Sequence, residues 1–309
     1  MPPKKAIVGF AVREPYIGVR MKKTNVYSLL LIQQLISGGT HIVAKAVVAD
    51  IDAATLTFVR TIIAAAGLYF IARLRSGPLN IERKDWLQIA LLGFVGVALN
   101  QYLYLFGMKF STAANGALLY AATPVFVLVL SRMILKEKIT PKKTFGIILA
   151  FVGISIVIFE RGIDLSSGYA YGNLLILFAV IGWTLFTVFG KKMLVKYGAL
   201  KTTSAMMFCG ALIISPLGVA SSFSVRFAEI SMLDWWGVLY LSVGTSIIGY
   251  LLWYHALSRI EASKVAVFAN VQPIFATILS LIFLNYTITP AFVTGSIITI
   301  CAIYITQVS

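Results

Sequence analysis

Ten stretches of predominantly apolar residues follow one another along the chain, at about 24–48, 53–73, 86–108, 113–134, 143–159, 169–191, 201–221, 234–257, 263–284 and 290–307. Each approaches the roughly 20 residues a helix needs to cross a hydrocarbon core about 30 Å thick. No water reaches the backbone there, so a spanning segment has to bond its own N–H and C=O groups, which a helix does. A soluble alternative would need polar surface. Of the 309 residues 59% are hydrophobic and only 12% charged, against about 25% charged in soluble domains. The expected fold is an all-α polytopic membrane protein with ten transmembrane helices, short loops and no separate soluble domain.

The net charge of +15 would point to nucleic acid in a soluble protein, but the bases here follow the loops. Lys4, Lys5, Arg13, Arg20, Lys22 and Lys23 precede the first span, and Arg73, Arg75, Arg83 and Lys84 follow the second. The loops after spans four, six and eight continue the pattern, so 21 of the 26 Lys and Arg residues lie on one side. The opposite side has only Lys45, Lys109, Arg161 and Arg226. Lys and Arg are retained on the cytoplasmic side, which puts both termini in the cytoplasm and makes the lipid bilayer, not nucleic acid, the partner of the charge. Met21-Lys22-Lys23 also reads as a natural start, so residues 1–20 could be an extension. A signal peptide over the first span is set aside because that span is needed as a partner in the repeat described next.

Residues 124–141 read PVFVLVLSRMILKEKITP and residues 273–290 read PIFATILSLIFLNYTITP, each followed five residues later by glycine, Gly146 and Gly295. The repeat reaches further back: Gly96 and Tyr102 match Gly244 and Tyr250, and Ala113, Ala117 and Ala121 match Ala262, Ala266 and Asn270. Spans three to five thus correspond to eight to ten, and by order spans one and two to six and seven. The units are a basic arm at 1–23, a first five-helix repeat at 24–160 and a second at 161–309. Five is odd, so the second copy enters the membrane from the opposite side. Such inverted repeats recur in secondary transporters, with the site near the midplane between the copies.

Pro124 and Pro273 fall near the middle of their spans, where proline removes a helix hydrogen bond and kinks the chain. They are expected to bend a pair of cavity-lining helices. The stripes Ala113, Ala117, Ala121 and Ala262, Ala266 suit close helix packing, within the chain or between copies. Cys209 and Cys301 lie in apolar stretches and read as packing residues. No Cys/His cluster has metal spacing, and no cofactor is implied.

Ionisable groups inside spans are costly and mark function. All eleven acidic residues lie in arms, loops or span ends, so no carboxylate is available at mid-membrane to bind a cation or carry a proton. Arg60 lies about one-third into the second span. Its planar fork could hold a carboxylate, or it could snorkel to the interface. His41 and Lys45 share a helix face; His41 could relay a proton or stay neutral and hydrogen-bonded, and Lys45 reads as interfacial. The candidate cavity lining is Arg60, His41, Gln101, Tyr102, Tyr120, Trp183, Tyr250, Trp253, Asn270 and Gln272, with Gln33, Gln34, Asn100 and Asn115 in the wider polar set. Repeat symmetry suggests that Tyr102 and Tyr250 face one another.

Three segments carry a family resemblance: TFVRTIIAAAGLYF (57–70), NQYLYLFGMKFSTAANGALLYAATPVF (100–126) and GYLLWYHALSRIEASKVAVFANVQPIF (249–275). The chain resembles an EamA-type member of the drug/metabolite transporter superfamily, built of two EamA units, from about residue 24 to 309. Members often carry a glutamate after the fourth and ninth spans; Glu137 fits, whereas Tyr286 stands at the second place, which questions a structural contact at the membrane edge. The resemblance implies movement of small metabolites, often export of amino acids.

The expected function is alternating-access transport of a small neutral or anionic metabolite, hydrophobic or neutral amino acids first, as an exporter or facilitator. Export of drugs or other metabolites, including nucleotide derivatives, is the alternative, with proton coupling open. An ATP-binding GxxxxGK[ST] motif is absent. So are the HExxH or paired aspartates of a membrane enzyme.

Overall fold

The computed structural model describes residues 23–160, 167–283 and 289–309. Residues 1–22 of the expected basic arm at 1–23, the loop with Arg161 and Asp164, and Tyr286 lie outside the described residues; Lys23 begins the first helix. Helices account for the fold, with no strand among the described residues. They are α1 (Lys23–Asp50), α2 (Ala53–Ser76), α3 (Arg83–Lys109), α4 (Asn115–Leu135), α5 (Pro141–Glu160), α6 (Ser167–Tyr197), α7 (Ala199–Ser222), α8 (Met232–Leu257), α9 (Ala262–Leu279) and α10 (Pro290–Gln307). Nine stretches among the described residues are long and apolar enough to cross a membrane. The expected span at 143–159 lies on α5, outside that set of nine.

The repeated Ile-Thr-Pro triplets are helix starts. Thr140 Oγ1 accepts from Lys143 N (3.1 Å) and Thr289 Oγ1 from Phe292 N (3.2 Å). In each case proline takes the first helical position, where no N–H is needed. The glycines five residues on let α5 and α10 cross closely: a Cβ on Gly146 would lie 2.9 Å from Ala302 O, and one on Gly295 2.5 Å from Gly153 O. The glycine that follows each repeated stretch thus lies in the contact between the two copies' last helices.

Packing elsewhere is also exchanged. The first helix of one repeat, α1, lies against α8 and α9, while α6, the first of the other, lies against α3 and α4. α2 pairs with α7. Two lysines mark this exchange. Lys45 Nζ on α1 donates to Met108 O and Ser111 O (both 2.7 Å) at the α3–α4 turn, and Lys191 Nζ on α6 donates to Ile260 O (2.8 Å) at the α8–α9 turn. Each ammonium satisfies carbonyls that a helix end leaves free. Outward-facing side chains such as Phe70, Phe145 and Ile297 are exposed and apolar, as a lipid-facing surface requires.

Four helices depart from regular winding. α3 widens to π-helix at Phe94–Leu99, α8 does so over Tyr240–Gly249, and α9 tightens to 3-10 winding at Val267–Val271. α4 is interrupted at Ala122, just before Thr123 and Pro124. Wide turns inside helices commonly occur at functional sites. Irregular backbone at membrane depth is tolerated only where protein or a wet cavity satisfies it.

Candidate substrate cavity

Between the two repeats, near the irregular turns, lies a cavity of about 70 Å³. Arg60, His41, Gln101, Tyr120, Trp183, Tyr250, Trp253 and Gln272 line it, as do Gln33, Asn100, Tyr104 and Thr245.

One wall is polar. Arg60 is 2% exposed and lies roughly 10 Å along α2 from Ala53 at 1.5 Å per residue. Its Nε and Nη2 both donate to Ser246 Oγ (3.2 and 2.9 Å), and Ser246 in turn donates to Leu241 O (3.0 Å) inside the wide turn of α8. No ion pair among the described residues includes Arg60; those present sit at loops and helix ends. Beside it, His41 Nδ1 accepts from the Tyr104 hydroxyl (2.8 Å) and Nε2 donates to Gln272 Oε1 (3.4 Å). That tautomer is assigned from the network.

Another part of the lining is aromatic. The Trp183 ring stands edge-on to Tyr250 with centroids 5.2 Å apart, and Trp253 lies 5.5 Å from it. Trp253 Nε1 donates to Thr187 Oγ1 (3.2 Å), so the indole is held in place. Tyr250 links parts of the lining: its hydroxyl donates to Gly96 O (3.1 Å), within the wide turn of α3, and accepts from Gln101 Nε2 (3.0 Å). Gln101 Oε1 is buried with no partner among the described residues. Asn100 Nδ2 reaches both the Tyr120 hydroxyl (3.0 Å) and Ala179 O (2.6 Å).

Two expected residues lie elsewhere. Tyr102 stacks on Phe106, centroids 5.6 Å apart, away from the cavity, so it does not face Tyr250. The physical reason is helical phase: the wide stretch of α8 is ten residues against six in α3, so the same repeat position points in different directions. Asn270 is fully buried in the 3-10 stretch, among α1, α4, α5 and α10. It is absent from the cavity lining, and neither amide atom has a partner among the described residues. Pro273 follows that stretch and Pro124 begins the second half of α4; neither lines the cavity.

Tyr104, Thr245 and Ser246 were missed. Tyr104 is one helical turn beyond Asn100, which could have flagged it. The serine and threonine carried no signal, since hydroxyls are common in apolar helices.

The EamA-like transporter family model matches residues 24–159 and 170–308, one unit for each half. The chain belongs to this family. Among similar proteins, "Uncharacterized transporter YyaM" of Bacillus subtilis (strain 168) is 29% identical over 263 residues, covering 84% of this chain and 86% of its own. An "Uncharacterized transporter" of Archaeoglobus fulgidus is 29% identical over 283 residues, covering 90% and 96%. "Uncharacterized transporter YetK" of Bacillus subtilis (strain 168) is 30% identical over 274 residues, covering 86% and 83%. A crystallised protein superposes with a TM-score of 0.76 at 14% identity, over 93% of this chain and 98% of that one, which shows the shared fold. Two EamA units, membrane-length apolar helices and transporter relatives together make this a multi-pass membrane transporter of the cell membrane.

Proposed function

We propose that this EamA-family transporter is a secondary carrier of small organic carboxylates with a hydrophobic body, hydrophobic or neutral amino acids among them, and that it acts by alternating access. One observation carries the reading: a buried guanidinium, whose hydrogen bonds among the described residues go to one neutral hydroxyl, shares a cavity with an aromatic wall. Apolar surface with a few placed polar groups is how small-molecule sites are built, and the arginine fork matches a carboxylate. Arg60, His41, Gln101 and Gln272 would hold the polar end, and Trp183, Tyr250 and Trp253 the apolar body.

The exchanged packing of α1 and α6 supports rocking of one repeat against the other, each copy taking in turn the role of gate. In the same reading the protein has ten spans, with both termini in the cytoplasm, and performs no chemistry on its substrate. Phosphorylated substrates would call for several converging bases, and Arg60 is the one Lys or Arg among the described residues of the lining.

Efflux from proteoliposomes preloaded with labelled carboxylates and amino acids tests the proposal, with Arg60→Ala run beside the parent. Saturable efflux that the variant loses is expected. Unsaturable leakage for every carboxylate, or full activity in a folded variant, would overturn it.

A further inference from the structure

If the cavity is the substrate site, as proposed above, its charge says which carboxylates suit it. The Arg60 guanidinium has five N–H donors. Its hydrogen bonds among the described residues both go to Ser246 Oγ, a neutral group. Among the described residues no acidic side chain lines the cavity. The other titratable side chains there are His41, Tyr104, Tyr120 and Tyr250. The tyrosines are bonded as neutral hydroxyls, and His41 fits the network as a neutral ring, with one nitrogen accepting and the other donating. The described lining thus carries one buried positive charge, and no described carboxylate pairs with it.

A buried ion is stabilised only by an opposite charge and hydrogen bonds in good geometry. A ligand with a single negative charge supplies both. A zwitterion supplies the carboxylate but brings an ammonium into the same cavity, leaving the total at plus one. The acceptors open to that ammonium are neutral, Gln101 Oε1 foremost, because it has no partner of its own. That oxygen suits a ligand hydroxyl, which donates a hydrogen bond without adding charge.

We propose that the cavity selects net monoanions, aromatic or bulky hydrophobic carboxylic acids bearing hydrogen or hydroxyl at the α-carbon, over the corresponding zwitterionic amino acids. Arg60 is the specificity-determining residue. Its guanidinium takes the carboxylate, the Trp183–Tyr250–Trp253 wall takes the ring, and Gln101 Oε1 accepts from an α-hydroxyl. Each anion that crosses moves one negative charge, so the flux follows the membrane potential. At equilibrium 100 mV would sustain about a 50-fold gradient of a monovalent anion, from 2.3 kcal/mol per charge per 100 mV. A zwitterion, having no net charge, gains nothing from the potential.

The test uses the full-length protein in proteoliposomes loaded with labelled 3-phenylpropanoate, 3-phenyllactate or phenylalanine, which differ at the α-carbon by H, OH and ammonium. Efflux is followed with and without an inside-negative potassium-diffusion potential, and transported charge is recorded electrically. The two anions should leave saturably, with a current and faster under the potential; phenylalanine should leave at least about tenfold more slowly and without current. Arg60→Lys should keep the anion preference at weaker affinity, and Arg60→Gln should abolish it. Phenylalanine efflux equal to or faster than that of the anions, without charge movement, would overturn this inference and leave the carboxylate carrier standing. Failure of all three probes to move would overturn both.

Discussion

Replacing Glu137 by alanine would uncap α9 and strip Lys191 of its carboxylate in one step. The Glu137 carboxylate is 8% exposed and accepts from Ala262 N (2.7 Å), Ser263 Oγ (2.7 Å) and Ser263 N (3.3 Å), with Lys191 Nζ at 3.3 Å. Loss of a side-chain cap costs about 1 kcal/mol, and breaking a fully buried ion pair about 3–5 kcal/mol. Lys191 is 20% exposed and keeps Ile260 O, so part of the second cost is recovered by hydration. The expected total is about 2–4 kcal/mol. Burial alone would raise the Glu137 pKa; the Lys191 charge, the Ser263 hydroxyl and two backbone N–H groups outweigh it and hold the carboxyl below its ordinary value of 4.5. A depressed acid pKa adds stability that is complete above the ordinary value and lost as pH falls through the native one. Thermal unfolding in detergent should therefore show a melting point several degrees lower for Glu137→Ala at pH 7. The parent should lose this advantage as the pH drops below about 4.5, and the variant should lack that component. A variant that melts with the parent at pH 7, or that keeps its acid sensitivity, would refute the capping argument.

Gly295→Val places branched carbons where even a Cβ would lie 2.5 Å from Gly153 O; overpacking costs about 1–3 kcal/mol or more, so the melting point should fall, and a parent-like value would show that α5 and α10 are not held this closely. Trp183→Ala removes the ring between Tyr250 and Trp253. Half-saturation for aromatic carboxylates should rise about tenfold or more, the usual weight of one aromatic contact with its buried area, and an unchanged value would displace the aromatic wall from the site. Asn270→Leu takes away an amide with no partner among the described residues. Since a buried unsatisfied polar group costs about 1–3 kcal/mol, stability should hold or rise, and a lower melting point would mean that the amide is satisfied in the membrane.

Much of the architecture could be read from local pattern. The Ile-Thr-Pro triplets and their following glycines are legible because an N-cap, an N1 proline and a close crossing each demand particular residue types at short spacing. Glu137 stood out at the membrane edge, and its role as a structural contact follows from the free N–H groups at the start of α9. Lys45 read as an interfacial charge and Lys191 as one of the basic residues after the sixth span; their carbonyl partners gave no signal because they belong to distant helices. Ser246 gave no signal at all: its importance comes from a wide turn that aims it at Arg60.

By itself the sequence determined that the chain lives in a membrane and that it is built of two like halves. Those conclusions rest on hydropathy and identity, which are summed along the chain and need no knowledge of direction around a helix. Which polar residues meet in the cavity was decided only in three dimensions. Each wide or tight turn rotates everything beyond it, so Tyr250 points inward while its repeat partner Tyr102 points away.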